Sequence, residues 1–140
     1  MKKRLLIVSI SIILLFILYY LQWGNKDTII SASMTETSGN TKTENIIVIS
    51  NQLFIKDKEK FALDIIQMCI NSTLPEGITS NIKLSNDMGY PNKITLTVYR
   101  NEFLMKQGIE SFKIIYAQDE KYNYRYNVKD NPEKFQITIK

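Results

Sequence analysis

The sequence predicts an α+β protein: an N-terminal single transmembrane helix, a flexible tether, and a small antiparallel β-meander of four to six strands with one helix packed on one face. Three observations carry that prediction. A nineteen-residue run without a charged side chain lies near the start, a later stretch shows apolar residues at helical spacing, and several others alternate apolar and polar residues with period two. The divisions that follow are an anchor over 1–23, a tether over 24–43 and a domain over 44–140.

Leu5 to Trp23 reads LLIVSISIILLFILYYLQW, with thirteen of nineteen positions Leu, Ile, Val or Phe. A helix of that length spans about 28 Å, close to the roughly 30 Å hydrocarbon core of a bilayer. Ser9 and Ser11 can donate back to carbonyls inside the helix and so cost little. Each central apolar residue favours insertion by about 0.3–0.6 kcal/mol, or on the order of 4–8 kcal/mol for thirteen as an upper bound. Lys2, Lys3 and Arg4 precede the run, whereas Lys26 and Asp27 cancel beyond it. The positive-inside rule therefore puts the N-terminus in the cytoplasm and the rest of the chain outside it. Tyr19, Tyr20 and Trp23 gather at the outer end, where amphipathic rings suit the headgroup layer. The alternative is a signal peptide cleaved after Ser31-Ala32-Ser33, giving a secreted protein. That site lies ten residues past Leu21, and the apolar run exceeds the usual 7–15 residues, so an uncleaved anchor is favoured. No cysteine stands where a lipid anchor would need one.

Residues 24–43 are rich in Ser, Thr and Asn, and Ile29-Ile30 is the only apolar pair there. Such a segment cannot bury enough surface to offset its ordering entropy, which predicts a tether reaching roughly 25 Å. The domain follows. Ile46 to Ile49 is a β-branched run expected to be a strand covered on both faces, and Leu53-Phe54-Ile55 a second short one. Lys58 to Asn71 is a helix capped by Asp57, with Phe61, Ala62, Ile65, Ile66, Cys69 and Ile70 on one broad face. Pro75-Glu76-Gly77 ends that unit. Ile78, Ile82 and Leu84 share the face of the next strand, and Asn86 to Pro91 is a dense turn signal. Ile94, Leu96 and Val98 follow. Asn101 to Gln107 is a helical turn closed by Gly108. Phe112, Ile114 and Tyr116, then Tyr122, Tyr124, Tyr126 and Val128, then Phe135, Ile137 and Ile139 give three more alternations. Ile65, Ile66, Ile94, Leu96, Phe112, Ile114, Phe135 and Ile137 are the expected core, with Cys69 among them.

Charge and composition exclude several functions. Lys2, Lys3 and Arg4 supply three units of the net charge of +4, because 15 basic residues face 14 acidic ones from Gly24 onward, a net of +1. Nucleic-acid binding needs clustered cations, and these are interspersed. There is no His and one Cys, Cys69. That removes Ser-His and Cys-His catalysis, a disulfide framework and most metal-ligand sets. Asp57 and Glu59 do not face each other on a helix, and Asp119-Glu120 reads as a solvated pair. No glycine-rich phosphate loop exists. No enzyme, cofactor or metal is therefore expected. The bias towards Ile, Lys and Asn is what an AT-rich bacterial genome tends to produce.

The stripe Tyr122, Tyr124, Tyr126 is the least ordinary feature. As core, its rings pack beneath the helix; as surface, they form an aromatic contact face. Core is favoured, which leaves Asn123, Arg125 and Asn127 facing outward. With Asn86, Asp87 and Tyr90 of the preceding turn, these make the candidate partner surface. The functional expectation is a membrane-tethered extracytoplasmic interaction module, held by residues 5–23 and serving an envelope protein partner. A secreted ligand-binding or inhibitor-like protein is the alternative. An enzyme with an unrecognised carboxylate or Lys/Tyr site ranks third.

Overall fold

An apolar run without a polar face has nothing in its own chain to pack against. In the computed structural model, which describes residues 2–24, 27–71, 73–74, 76–80 and 89–140, that run is helical and exposed along its length. Helix α1 (Lys2–Tyr19) continues through one wider π-helical turn, Tyr20–Gly24. The stretch Lys3–Gly24 is long and apolar enough to cross a membrane. Ser9 and Ser11 donate to the carbonyls of Leu5 and Ile7 at 3.0 and 2.9 Å, so neither leaves a hydroxyl unmet.

The expected tether is largely a strand. β1 (Thr28–Ser38) turns at Gly39, where φ is +56°, and pairs antiparallel with β2 (Thr41–Ile49) from Ile29↔Ile49 to Ser38↔Thr41. Its register slips at a bulge between Ile30 and Ala32. Two things offset the ordering cost that composition emphasised. Ile30 is fully buried in the core, and Glu44 accepts hydrogen bonds from the hydroxyls of Ser33 and Thr35 across the hairpin. A Ser/Thr run is compatible with a pleated, half-buried strand once a partner ladder exists.

The next expected strand, Leu53 to Ile55, is irregular loop. α2 (Lys58–Asn71) starts where the Asp57 cap was read: its Oδ1 accepts from the Lys60 N–H at 2.9 Å. Ala62, Ile65, Ile66 and Met68 are buried, and Phe61, Cys69 and Ile70 pack partly buried around them. β3 (Ile78–Ser80), β4 (Lys93–Tyr99), α3 (Glu102–Lys106), β5 (Phe112–Gln118) and β6 (Phe135–Ile139) complete the order. Asn101 caps α3 through the Leu104 N–H at 2.9 Å, and Gly108 at φ +70° closes it. Ile82, Leu84, Asn86 and Asp87 lie outside the described residues.

One six-stranded mixed sheet results, in the order β3-β1-β2-β4-β5-β6. The expected meander is corrected here. β2 pairs with β4 in parallel, and so do β1 and β3. The crossover holds both α2 and β3: β3 starts beside Thr28, at the end where β2 stops, and runs antiparallel to β2, so β4 begins where β2 began. Only β4-β5-β6 is a meander. The fourth alternation is not a strand either. Glu120–Tyr122 is a 3-10 turn, and Asn123 and Tyr124 both sit at positive φ (+49° and +53°), which ends any extended run.

α2 covers one face of the sheet. Ile46, Val48, Ile94, Leu96, Val98 and Ile114 are buried beneath it, with Phe112 and Phe135 at the margin. Each fully buried Ile or Leu contributes about 1.5–3 kcal/mol. Of the expected core, Ile137 and Cys69 are only partly buried against the cluster. Burial, and then the nearby Glu44 charge, push the Cys69 thiol up to about 12. The opposite face, with Thr43, Asn45, Thr95, Thr97 and Lys113 half-exposed, carries no helix among the described residues.

Candidate functional site

Gln22 of the helical segment bonds Phe54, just past the end of β2, so the sheet has a near end beside the helix and a far end opposite it. The turn at 39–40, residues 89–92 and the segment 119–131 meet at the far end. Two buried amides tie them together. Asn92 Oδ1 accepts from the Lys42 N–H at 2.7 Å, while its Nδ2 donates to the carbonyls of Asn40 (2.7 Å) and Tyr124 (2.9 Å). Gln118 Nε2 donates to the Tyr126 carbonyl at 2.9 Å and its Oε1 accepts from the Tyr126 N–H at 3.3 Å. The Val128 N–H donates to the Pro91 carbonyl at 2.9 Å, and Val128 itself is buried. A segment without a strand ladder is thus fixed by side-chain amides, which leaves no buried side-chain polar atom unmet among the described residues.

Four of the six sequence-predicted surface residues are described, and the fold brings them to this one end. Tyr90 is half-buried, with the Lys129 ammonium 4.4 Å from its ring centroid and bonded to its hydroxyl. Asn123 is exposed at its left-handed φ, where its N–H caps the 3-10 turn on the Glu120 carbonyl. Arg125 is exposed, and its N–H donates to the Tyr122 carbonyl at 3.1 Å. Asn127 is turned inward instead. Its Oδ1 accepts from the N–H groups of Lys129 and Asp130 at 3.1 and 2.9 Å, and its Nδ2 donates to Asp130 Oδ2 at 2.7 Å. It holds a turn, as Asn does when its side chain mimics the backbone. Arg125 and Asn123 therefore project from a loop and not from a strand face. The helical turn from Asn101 to Gln107, also largely exposed, lies at the near end.

The tyrosines do not lie together in either of the two predicted places. Tyr122 and Tyr126 meet edge to face at 5.4 Å, and the Lys134 ammonium stands 5.9 and 6.0 Å from their centroids. All three tyrosines are half-buried in a loop and not on a strand, and of them only Tyr126 packs against the core cluster, as the core reading expected. Lys121 lies over Tyr122 at 5.0 Å and pairs with Asp119 at 3.0 Å. The backbone N–H of Lys121, then its ammonium, hold the Asp119 carboxyl below the usual carboxylate range; the same carboxylate raises the Lys121 ammonium. The far end thus offers phenol hydroxyls, amides and a guanidinium, groups suited to hydrogen bonding and ring stacking.

Sequence reasoning missed Asn92 and Gln118, although a signal was present. Asn92 is in phase with Ile94, Leu96 and Val98, and Gln118 with Phe112, Ile114 and Tyr116. A polar residue at the inward parity of an apolar alternation must find partners or unfold its surroundings.

The near end is built differently. Gln22 grips the backbone of Phe54 from both sides: its Nε2 donates to the Phe54 carbonyl and its Oε1 accepts the Phe54 N–H, each at 3.0 Å. Leu53 and Phe54 face Phe16, Tyr19 and Trp23 of the helix across an open apolar groove of about 630 Å³. Asn51, at φ +53°, donates from Nδ2 to the Asp27 carbonyl at 2.7 Å. Comparison with protein-family models, with curated proteins and with solved structures finds no match to this chain.

Proposed function

We propose that the chain is a single-pass membrane protein with a cytoplasmic N-terminus, whose α+β domain is an extracytoplasmic interaction module for an envelope protein. The observation that carries this is the placement of the two ends. The candidate contact residues Tyr90, Asn123 and Arg125 sit at the far end of the sheet, while the apolar helix leaves from the near end. A helix inserted in a bilayer would hold those loops outward, one sheet-length from the surface. The loops are also prearranged by Asn92 and Gln118, so a partner need not pay to order them. The outer edge of β6, which no strand covers among the described residues, offers a second contact by strand addition.

Secretion after cleavage at Ser31-Ala32-Ser33 is the weaker alternative. That site is inside β1, and cutting there would remove Thr28 and Ile30, both buried, together with the strand that β3 pairs to. A signal peptide site is ordinarily outside the folded core.

The test uses the full chain in its own cells with a photo-crosslinker at position 125. A discrete crosslinked partner is expected, and Arg125→Glu should abolish it while changing stability by less than about 0.5 kcal/mol, as exposed substitutions do. Absence of any crosslink at positions 90, 123 and 125 would overturn the assignment of the contact surface. A chain released to the medium beginning at Met34 would overturn the anchor.

A further inference from the structure

We propose that the near end of the domain is itself a lipid-binding surface, with Leu53, Phe54, Phe103, Ile109 and Ile139 seated in the headgroup–acyl boundary of the outer leaflet. It rests on the reading of α1 as a membrane span. Outside the N-terminal helical segment, seven large apolar side chains are exposed among the described residues: Met34, Phe54, Leu63, Leu74, Phe103, Ile109 and Ile139. Strand direction places four of them at the near end. Phe54 follows β2, Phe103 lies in α3 and Ile109 just past it between β4 and β5, and Ile139 pairs with Ile114 near the terminus of β6. The ends are joined laterally: Ser50 N–H donates to the Tyr99 carbonyl at 2.8 Å, and Lys113 and Lys140 exchange backbone bonds at 2.9 and 2.8 Å. Phe54 and Phe103 are the most exposed of the set, at 71% and 69%. Water-facing rings at that exposure are unusual unless something covers them.

Depth identifies the cover. A span beginning at Leu5 reaches about 30 Å at Gly24, the thickness of the hydrocarbon core. Gln22 and Trp23 therefore lie at its outer boundary, and the two Gln22 bonds hold Phe54 level with them. Three residues, 25–27, separate the helical segment from β1, so the domain cannot lift away by a tether's length. The groove between Leu53-Phe54 and Tyr19-Trp23 is apolar and opens outward at that depth, where acyl chains can fill it.

The chemistry is apolar partition, with little contribution from charge. Lys106 pairs with Glu102 at 2.8 Å and Lys113 with Glu110 at 3.6 Å, while Lys56 and Lys58 alternate with Asp57 and Glu59. Binding to zwitterionic lipid should therefore match binding to anionic lipid, unlike a polybasic attachment.

The experiment reconstitutes the full chain, carrying Trp23→Phe, in phosphatidylcholine vesicles whose acyl chains are brominated near the headgroup. Phe54→Trp, Phe103→Trp and Met34→Trp are introduced separately. Quenching at positions 54 and 103 should exceed that at 34 by at least about twofold, as an apolar face sunk about 5–10 Å requires. Adding phosphatidylglycerol should leave the ratio unchanged. A chain that resists carbonate extraction but shows equal quenching at all three positions would overturn the lipid seat and leave the anchor standing. A chain extracted by carbonate would overturn both. Quenching that appears only with phosphatidylglycerol would overturn the apolar mechanism.

Discussion

The two ends of the sheet terminate their strands with opposite chemistry. At the far end, Asn92 and Gln118 spend their full hydrogen-bonding capacity on the carbonyls and N–H groups of loops that make no ladder. At the near end, Gln22 clamps Phe54 and Asn51 bonds the Asp27 carbonyl, in a loop that leaves the Phe54 ring exposed. The far end is ordered from within and presents polar groups; the near end leaves its apolar groups exposed. A soluble domain would normally finish both ends alike. The asymmetry is what the proposed lipid seat of the near end requires.

The largest expected effect falls between the ends and should not distinguish them. Ile66→Ala or Leu96→Ala removes a fully buried side chain from the α2–sheet core and should cost about 2–5 kcal/mol in chemical denaturation. Hydrogen exchange should rise throughout the domain; a rise confined to one end would show that the ends fold separately.

Asn92→Leu sharpens the contrast. It removes the acceptor of the Lys42 N–H and the donors to the carbonyls of Asn40 and Tyr124, and should cost at least the roughly 1–3 kcal/mol of one unmet buried group. Exchange should accelerate over 40–42 and 118–128 while the amides of 50–57 hold. Equal acceleration at both ends would refute the far end as a unit with its own amide frame.

Cys69 probes the middle through pH. Its thiol stays protonated in the folded state well above the point, near 9, where an unfolded thiol ionises. The unfolded state alone gains a charge as pH rises through that interval. Stability should thus be intact below about pH 9 and fall towards pH 12. Cys69→Ala should flatten that part of the profile. A thiol reagent should react slowly at pH 7 and quickly in denaturant; rapid native labelling would show an open helix face.

The smallest effect belongs to the near end. Asp57→Ala removes the cap on α2 and should cost about 1 kcal/mol. Exchange should increase first at Lys60 and Phe61, with the far-end loops unaffected.

How far the sequence could be read depended on the range of the force involved. α2 and its Asp57 cap, α3 with Asn101 and Gly108, and strands β2, β4, β5 and β6 were legible, because local spacing and capping decide them. What failed depended on distant partners. β1 is a strand because β2 is there to pair with it and the core receives Ile30; by composition alone residues 28–38 resemble a linker. The tyrosine alternation at 122–126 obeyed period two by coincidence, and the Asp119 cap on the Lys121 N–H with two left-handed residues decided against it. The parallel pairing of β2 with β4 follows from the return run of β3 along β1, a distant pairing that no window of residues contains. For the candidate surface, Tyr90 was read as a turn residue and Asn123 and Arg125 as the outward face of a strand that the structure replaces by a loop, and the amides that gather them were hidden inside apolar alternations.

The three-residue joint between the helical segment and β1 also has a mechanical meaning. A pull on the far-end loops, resisted by the helix, would run along the strand axes. Bonds of the β1–β2 ladder lie across those axes, so the load would be shared by the whole nine-pair register from Ile29↔Ile49 to Ser38↔Thr41 at once. Such a ladder shears as a unit and does not peel bond by bond. Force or rotation at the far end would thus pass through the β1–β2 ladder on its way to the helix.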